Sequence, residues 1–180
     1  MVRRAVTAGL VAVCVAAFGA MARAQAGSGA MSGMAKPAAA PSTSLTLTVD
    51  GKATVFSTAD LKAMAQKTLK VHNAHANADE TYSGVPLGDL LIKAGFMADK
   101  TTQQKMLRSY LRVEGTDKYW VVYSVTEVEA TEHDGDVIVA TSMNGGGLGA
   151  DGELKLVSSE DKKPQRWVRN LTAIEMVAAQ

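Results

Sequence analysis

The sequence has little cysteine, few aromatic side chains and almost no net charge. It has 180 residues, of which one is cysteine and 5% are aromatic, and 19 basic residues face 18 acidic ones. Cys14 lies in an apolar N-terminal run, so the rest of the chain offers no disulfide and no thiolate for metal binding or catalysis. The charge balance argues against a nucleic-acid surface. No G-x-S-x-G sequence surrounds a serine nucleophile.

The N-terminal segment predicts an export signal. Arg3 and Arg4 precede an apolar run at residues 5–20, and the following Ala-Arg-Ala at 22–24 fits the small-x-small cleavage rule. We predict residues 1–24 to be a signal peptide of bacterial type, cut after Ala24. The mature chain would be periplasmic or secreted, with no stable membrane span. Its formal charge would be −2, because the leader carries three arginines and no acidic residue.

The remaining chain divides into a linker and one domain. Residues 25–42 are rich in Gly, Ala, Ser, Met and Pro without apolar periodicity, which predicts a flexible linker. Residues 43–180 have a suitable size for a single domain. Alternating or β-branched runs predict strands. These are residues 44–49, 53–56, 69–75, 110–113, 119–124, 136–141, 154–158 and 171–177.

Two helices are predicted between these strands. The first is capped by Ser57 or Thr58, and its apolar positions are Leu61, Met64 and Ala65. The second follows a predicted turn at residues 81–84 and has Pro86 at its first position. Its apolar face is formed by Leu87, Leu90, Leu91 and Ala94, and Gly95 is its predicted stop.

Several stretches resemble the oxidoreductase molybdopterin-binding domain, the catalytic domain of the sulfite oxidase family. SGVPLGDLL at 83–91, followed by Ala-Gly at 94–95, is similar to the family's G-V-P-L-x-x-L-L…A-G helix. EGTDKY at 114–119 and residues 121–128 resemble its D-G-Y strand and turn. IVA at 138–140, NG at 144–145, Leu148, Gly152 and LKLV at 154–157 resemble a later run, which RWVR at 166–169 closes. The resemblance spans about 110 residues and implies an α+β fold of mixed, strongly bent sheets with short helices.

One departure from the family concerns its metal ligand. The resemblance implies molybdenum held by two pterin dithiolene sulfurs and one cysteine thiolate, shortly before the G-V-P-L helix. Here the segment at 71–75 reads VHNAH, so His72 or Asn73 stands near the cysteine position. Neither side chain supplies a thiolate's charge or softness. The leading hypothesis is therefore an oxidoreductase-like domain without classical molybdenum redox catalysis and without a cofactor. It would bind a small ligand or a redox partner protein.

A cofactor cleft is predicted from the same resemblance. Its residues would be His72, Asn73, His75, Tyr119, Arg166 and Arg169. The two arginines match basic positions of the family, and guanidinium groups or a glycine-rich backbone nest at 145–147 suit a phosphate. One alternative is therefore a molybdopterin-dependent oxidoreductase of the sulfite oxidase type with a non-cysteine ligand set.

A histidine-centred metal-binding protein is the second alternative. His72 and His75, together with His133, Asp134 and Asp136, offer donors that suit zinc, nickel or copper. If His72 and His75 share a strand, their odd spacing places them on opposite faces, and only a turn or bulge would unite them. The sequence identifies no catalytic residue.

Overall fold

The computed structural model describes residues 40–97, 100, 102–129, 133 and 136–179. The predicted leader, most of the predicted linker and the metal candidate Asp134 lie outside these residues. The strands are β1 (Ser44–Val49), β2 (Lys52–Ser57), β3 (Lys67–Asn73), β4 (Ala78–Pro86), β5 (Ser109–Gly115), β6 (Trp120–Ser124), β7 (Val137–Met143), β8 (Lys155–Ser158) and β9 (Leu171–Ala178). The helices are α1 (Thr58–Ala63), α2 (Leu87–Lys93) and α3 (Gln103–Leu107), with 3₁₀ turns at Val125–Glu127, Gly149–Asp151 and Pro164–Arg166.

The described strands form two sheets. The five-stranded sheet has the order β2-β1-β9-β5-β6, in which β1 and β9 are parallel and the other pairs are antiparallel. The four-stranded sheet has the order β3-β4-β7-β8 and is antiparallel throughout. Mixed sheets with short helices confirm the predicted α+β class.

The first hairpin follows its sequence signal closely. Leu45, Leu47 and Val49 alternate inward along β1 and are buried. Asp50 and Gly51 both have positive φ, 52° and 76°, as a tight two-residue hairpin turn requires.

Two apolar clusters cover the two faces of β7. Val137 and Val139 belong to the larger cluster, which also contains side chains of α1, α2 and the five-stranded sheet. Ile138 and Ala140 belong to a smaller cluster that includes Tyr82. A strand buried on both faces is apolar at every position, which explains the continuous apolar run that the sequence shows here.

Residues 81–84 form part of β4 and not the predicted turn. The register between β4 and β7 shifts between Ser83 and Gly84, where the strand has a β-bulge. A Cβ at Gly84 would lie 2.2 Å from the carbonyl oxygen of Val139, so the glycine permits close approach of two backbones. The prediction of a turn at residues 81–84 was wrong because Gly84, which is also typical of turns, is needed here for the close approach of β7 to β4.

Helix α2 has the predicted apolar face. Leu87, Leu90 and Leu91 are fully or almost fully buried. The helix begins at Leu87, one residue later than predicted, so Pro86 is its N-cap and not its first residue. Gly95 follows the helix with φ 99°. No helix among the described residues is both long and apolar enough to cross a membrane.

The C-terminal ends of α1 and of β3 differ from the prediction. Helix α1 ends at Ala63, so Met64 is its C-cap and Ala65 is exposed beyond it. Strand β3 ends at Asn73, which places His75 in a turn and not on the strand. The strand ends here because the side-chain oxygen of Asn73 accepts hydrogen bonds from the backbone N–H groups of His75 and Ala76, which bends the chain into the β3–β4 turn.

Candidate functional site

A cavity of about 590 Å³ opens where loops of both sheets meet. Its walls come from the β3–β4 turn, the β5–β6 turn, the start of β8 with the 3₁₀ turn before it, and the segment that leads into β9. The lining residues are Asn73, Ala74, His75, Asp117, Tyr119, Asp151, Lys155, Lys163, Pro164, Gln165, Trp167 and Arg169. The cavity therefore combines basic, acidic and aromatic side chains.

Four of the six predicted cleft residues line this cavity. They are Asn73, His75, Tyr119 and Arg169. His72 does not line it: its imidazole is exposed and its Nδ1 lies 2.7 Å from Oδ1 of Asp79.

Arg166, the sixth predicted residue, anchors a loop and does not line the cavity. Its guanidinium donates to Asp161 at 2.5 and 3.1 Å and to Glu127 at 3.1 Å, and it lies 4.3 Å from the Tyr123 ring centroid. Burial works to lower the pKa of Arg166, but the hydrogen bonds to Asp161 and Glu127 outweigh it and raise the pKa above its ordinary value. Both carboxylates therefore hold this cation in place.

The side chain of Asn73 is buried, and both its oxygen and its nitrogen form hydrogen bonds. Its Oδ1 accepts hydrogen bonds from the backbone N–H groups of His75 at 3.0 Å and Ala76 at 3.2 Å. Its Nδ2 donates to Oε2 of Glu80 at 2.9 Å. The Asn73 amide thus organises the turn that forms one wall of the cavity.

Lys155 is a buried cation in the wall of the cavity. Its Nζ donates to the hydroxyl oxygen of Tyr82 at 2.7 Å and to Oδ2 of Asp151 at 2.6 Å. The same nitrogen lies 4.7 Å from the Tyr82 ring centroid and 5.3 Å from that of Trp167. Two aromatic rings and a carboxylate therefore stabilise a charge that would otherwise be costly to bury.

Tyr82 connects Lys155 to the turn of Asn73. Its hydroxyl donates to Oε2 of Glu80 at 2.6 Å, the same oxygen that accepts from Asn73. Burial, followed by the hydrogen bond to Glu80, raises the pKa of Tyr82 well above its usual value. The phenol therefore stays protonated and continues to donate at physiological pH.

Three residues of the cavity lining, Trp167, Lys163 and Arg169, carry hydrogen-bond donors. The indole N–H of Trp167 is buried and has no acceptor among the described residues. Among the described residues, Lys163 has no hydrogen-bond or ion-pair partner for its side chain. Arg169 is largely exposed, and its Nε is 3.8 Å from Oδ1 of Asp151. The cavity is thus better suited to a ligand with acceptor atoms than to a cation.

The donor set does not fit a metal that needs a protein thiolate. Cys14 is the only cysteine in the sequence, and the described residues contain no group of three His, Cys, Asp or Glu side chains that could hold a metal ion. His75 lines the cavity whereas His72 is paired with Asp79 outside it. The side chains fit an anionic group, such as a phosphate, but not the metal end of a thiolate-bound molybdenum cofactor.

Sequence reasoning missed the central residue, Lys155. A lysine inside the apolar run at 154–157 was a usable signal, because a charge on a strand buried at every position requires a specific partner. The partner residues Tyr82 and Asp151 had no comparable signal, since they are distant in sequence.

Comparison with known proteins gives a family and a fold. Residues 34–152 match the family model described as the oxidoreductase molybdopterin binding domain. Among solved structures, the sulfane dehydrogenase SoxCD from Paracoccus pantotrophus aligns with a TM-score of 0.58 and 19% sequence identity. The alignment covers 74% of this chain and 37% of that chain, so this sequence spans little more than a third of its relative. No curated protein sequence matches the chain.

Proposed function

Because the chain belongs to the oxidoreductase molybdopterin binding domain family, we propose that it keeps the family's cleft but uses it to bind a small ligand. In this proposal the domain is exported and does not carry out classical molybdenum redox catalysis. Its ligand occupies the cavity between the β3–β4 turn and the segment around Trp167.

The state of Asn73 carries this proposal. Both ends of its amide are hydrogen-bonded, to the backbone of the turn and to Glu80, so it is not available as a metal ligand without breaking the turn. An amide also lacks the negative charge of a thiolate. A molybdenum atom bound here would therefore lack the protein ligand on which classical redox catalysis in the family depends.

The deciding experiment is analysis of protein purified from its native host. We expect less than about one tenth of a molybdenum atom per chain by inductively coupled plasma mass spectrometry, since a metal lacking its protein thiolate is retained weakly. Oxidation of the denatured protein should release no stoichiometric fluorescent pterin. Molybdenum near one atom per chain would refute the proposal.

A second candidate function is supported by the basic side chains of the cavity. Lys163 and Arg169 could hold the phosphate of a pterin, and the protein would then be a molybdopterin-dependent oxidoreductase with a non-cysteine ligand set. In that case the same analysis finds pterin and molybdenum together, with redox turnover of a substrate.

Export is tested separately from ligand binding. We expect the periplasmic or secreted fraction of the native host to contain a chain that begins at Gln25, as determined by N-terminal sequencing and intact mass. A chain that retains residues 1–24 in the cytoplasm would contradict this part of the proposal.

A further inference from the structure

Strand β6 is an unprotected edge of the five-stranded sheet. Among the described strands, four lie at sheet edges, namely β2, β6, β3 and β8. Strands β2 and β3 carry the exposed lysines Lys52, Lys67 and Lys70, and such charges discourage pairing with another strand. Strand β8 is covered, because the N–H of Leu156 donates to the carbonyl oxygen of Val168 at 2.9 Å. Strand β6 reads WVVYS and has neither protection.

The backbone of β6 presents hydrogen-bonding groups at this edge. The N–H of Gly115 donates to the carbonyl oxygen of Tyr119 at 3.0 Å, and from there every second residue of β6 bonds to β5. The backbone groups of Trp120 and Val122 therefore point away from β5, where the described residues include no further strand. Ser124, next in this series, already donates its N–H to a side-chain carboxylate at 2.7 Å. Two N–H donors and two carbonyl acceptors are thus available to another strand.

The side chains of the same two residues form an exposed apolar patch. Trp120 is 53% exposed and Val122 is 41% exposed. On β5, Glu114 lies opposite Trp120 and Arg112 lies opposite Val122, and the guanidinium of Arg112 is 5.2 Å from the centroid of the Trp120 ring. Aromatic and β-branched side chains that face each other across two strands stabilise the pairing. The patch therefore suits a strand that presents the same two kinds of side chain.

We propose that β6 pairs antiparallel with β6 of a second copy of this chain, about a two-fold axis at Val121. Such a contact uses the same surface on both copies. Trp120 of each copy then lies opposite Val122 of the other, and their outward N–H and carbonyl groups form four hydrogen bonds. Neither of these two residues lines the cavity, so the inference is independent of the proposed function.

Charge complementarity favours a second copy in this register. One row of side chains on the outer face then runs across both copies, with Glu114 and Trp120 of one copy followed by Val122 and Arg112 of the other. Each row therefore has an acid at one end and a base at the other. Sliding one strand by two residues in either direction would place Arg112 at both ends of a row, or Glu114 at both ends, and a slip of one residue would reverse the faces.

Sedimentation velocity of a chain that starts at Gln25 tests the proposal. Because the strand is short, the contact belongs to the small and transient class of interfaces, and we expect a dimer with a Kd on the order of 50 μM. The measurement therefore covers about 1 μM to about 1 mM. Hydrogen exchange gives the location: the backbone amides of Trp120 and Val122 should exchange more slowly as the dimer forms, whereas the amide of Val55 on β2 should not change.

A proline on β6 and a matched proline on β2 complete the test. Val122→Pro removes an N–H that β5 does not use, so it should leave the fold intact and abolish the dimer. Val55→Pro makes the same change on the opposite edge of the sheet and should leave the Kd unchanged. The N–H of Val55 also points outward, because that of Thr58 donates to the carbonyl oxygen of Thr43 at 3.2 Å and the bonding residues alternate from there.

A second pair of variants decides the question if Val122→Pro does not fold. Trp120→Thr keeps a residue that favours strands but removes the indole, and we expect it to weaken the Kd at least about tenfold. Val55→Thr is its control and should dimerise as the wild type does.

Three results would overturn the proposal. The first is a chain that stays monomeric at about 1 mM, well above the expected Kd. The second is a dimer that folded Val122→Pro or Trp120→Thr forms as tightly as the wild type, since the contact would then lie on another surface. The third is a monomer whose Trp120 and Val122 amides are protected in the chain starting at Gln25 but not in a chain starting at Pro37. In that case residues before Pro37 would occupy the edge instead of a second copy.

Discussion

Asn73 combines two structural roles in one side chain. Its oxygen closes the β3–β4 turn and its nitrogen holds Glu80, which in turn accepts from Tyr82. We expect Asn73→Ala to lower the free energy of unfolding by about 1–3 kcal/mol, because the backbone N–H groups of His75 and Ala76 and the carboxylate of Glu80 each lose a hydrogen bond to this buried side chain. Urea unfolding followed by circular dichroism measures this difference.

The neighbouring residue His72 provides the control for this substitution. It lies on the same strand, but its imidazole is exposed and pairs with the exposed carboxylate of Asp79. His72→Gln should change the free energy of unfolding by less than about 0.5 kcal/mol. If Asn73→Ala also changed the free energy of unfolding by less than about 0.5 kcal/mol, the turn would not depend on Asn73.

Glu114 gives the stability a defined pH dependence. A hydrogen bond from Lys118 lowers the pKa of Glu114; burial acts against this, and the contacts with Arg112 add to it. A lowered native pKa stabilises the fold above the unfolded-state pKa, about 4.3, and this contribution is lost as the pH falls through the native value. The melting temperature of Glu114→Gln should therefore lie below that of the wild type at pH 7, and the difference should narrow at pH 3.

A second glutamate distinguishes this effect from a general loss of charge. Glu153 is exposed and has no hydrogen-bond or ion-pair partner for its side chain among the described residues. Its replacement by Gln should leave the difference from the wild type the same at pH 7 and pH 3. If the melting-temperature difference between Glu114→Gln and the wild type were also the same at pH 7 and pH 3, the ion pairs of Glu114 would not stabilise the fold in a pH-dependent way.

Among the elements, strand β4 depends on a glycine at its bulge. A Cβ at Gly84 would meet the carbonyl oxygen of Val139 at 2.2 Å and Cα of Ala140 at 2.5 Å, and both atoms belong to the backbone of β7. We expect Gly84→Ala to destabilise the protein by about 2–3 kcal/mol, because two strands must separate to admit the methyl group. Chemical denaturation gives the value.

Gly147 provides the matched glycine-to-alanine control. A Cβ there meets no atom within 4 Å, and its φ is not positive. Gly147→Ala should stay within about 0.5 kcal/mol of the wild type. Wild-type stability for Gly84→Ala would mean that β4 and β7 do not approach as closely as these distances indicate.

Elements with one dominant periodicity could be predicted from the sequence. The alternation of β1 and the apolar face of α2 identified both elements, because a single buried face imposes a regular pattern. Strand β4 could not be predicted in full. Its bulge places Gly84 and Pro86 where they resemble a turn, and the partner that requires the glycine, β7, lies more than 50 residues later.

At the scale of the whole molecule, the cavity could be predicted only in part. The family resemblance supplied Asn73, His75, Tyr119 and Arg169, because they occur in short motifs. The linkage of Tyr82 to Lys155 depends on two residues 73 positions apart. Local sequence patterns contain no information about a contact between residues so far apart, so the hydrogen bonds of the cavity could be identified only from the tertiary structure.

The first strand, β1, joins β2 to the rest of the five-stranded sheet. This position predicts how the protein responds to truncation. Strand β1 lies between β2 and β9 and is the strand that pairs in parallel with β9. It buries Leu45, Leu47 and Val49 in the larger cluster. A chain that starts at Gly51 would lose these side chains, leave β2 without its partner strand and leave β9 paired only with β5, so we expect no cooperative thermal unfolding.

A milder truncation separates the role of β1 from that of the preceding segment. Residues 37–180 form a compact unit, and Ala40 accepts a hydrogen bond from Thr116. A chain that starts at Pro37 should therefore unfold cooperatively within about 2 °C of a chain that starts at Gln25, as measured by calorimetry. If that chain were also unfolded, residues before Pro37 would contribute to the core. If the chain starting at Gly51 unfolded cooperatively, the five-stranded sheet would not require β1, because its other strands would be stable without the pairing of β1 to β2 and β9.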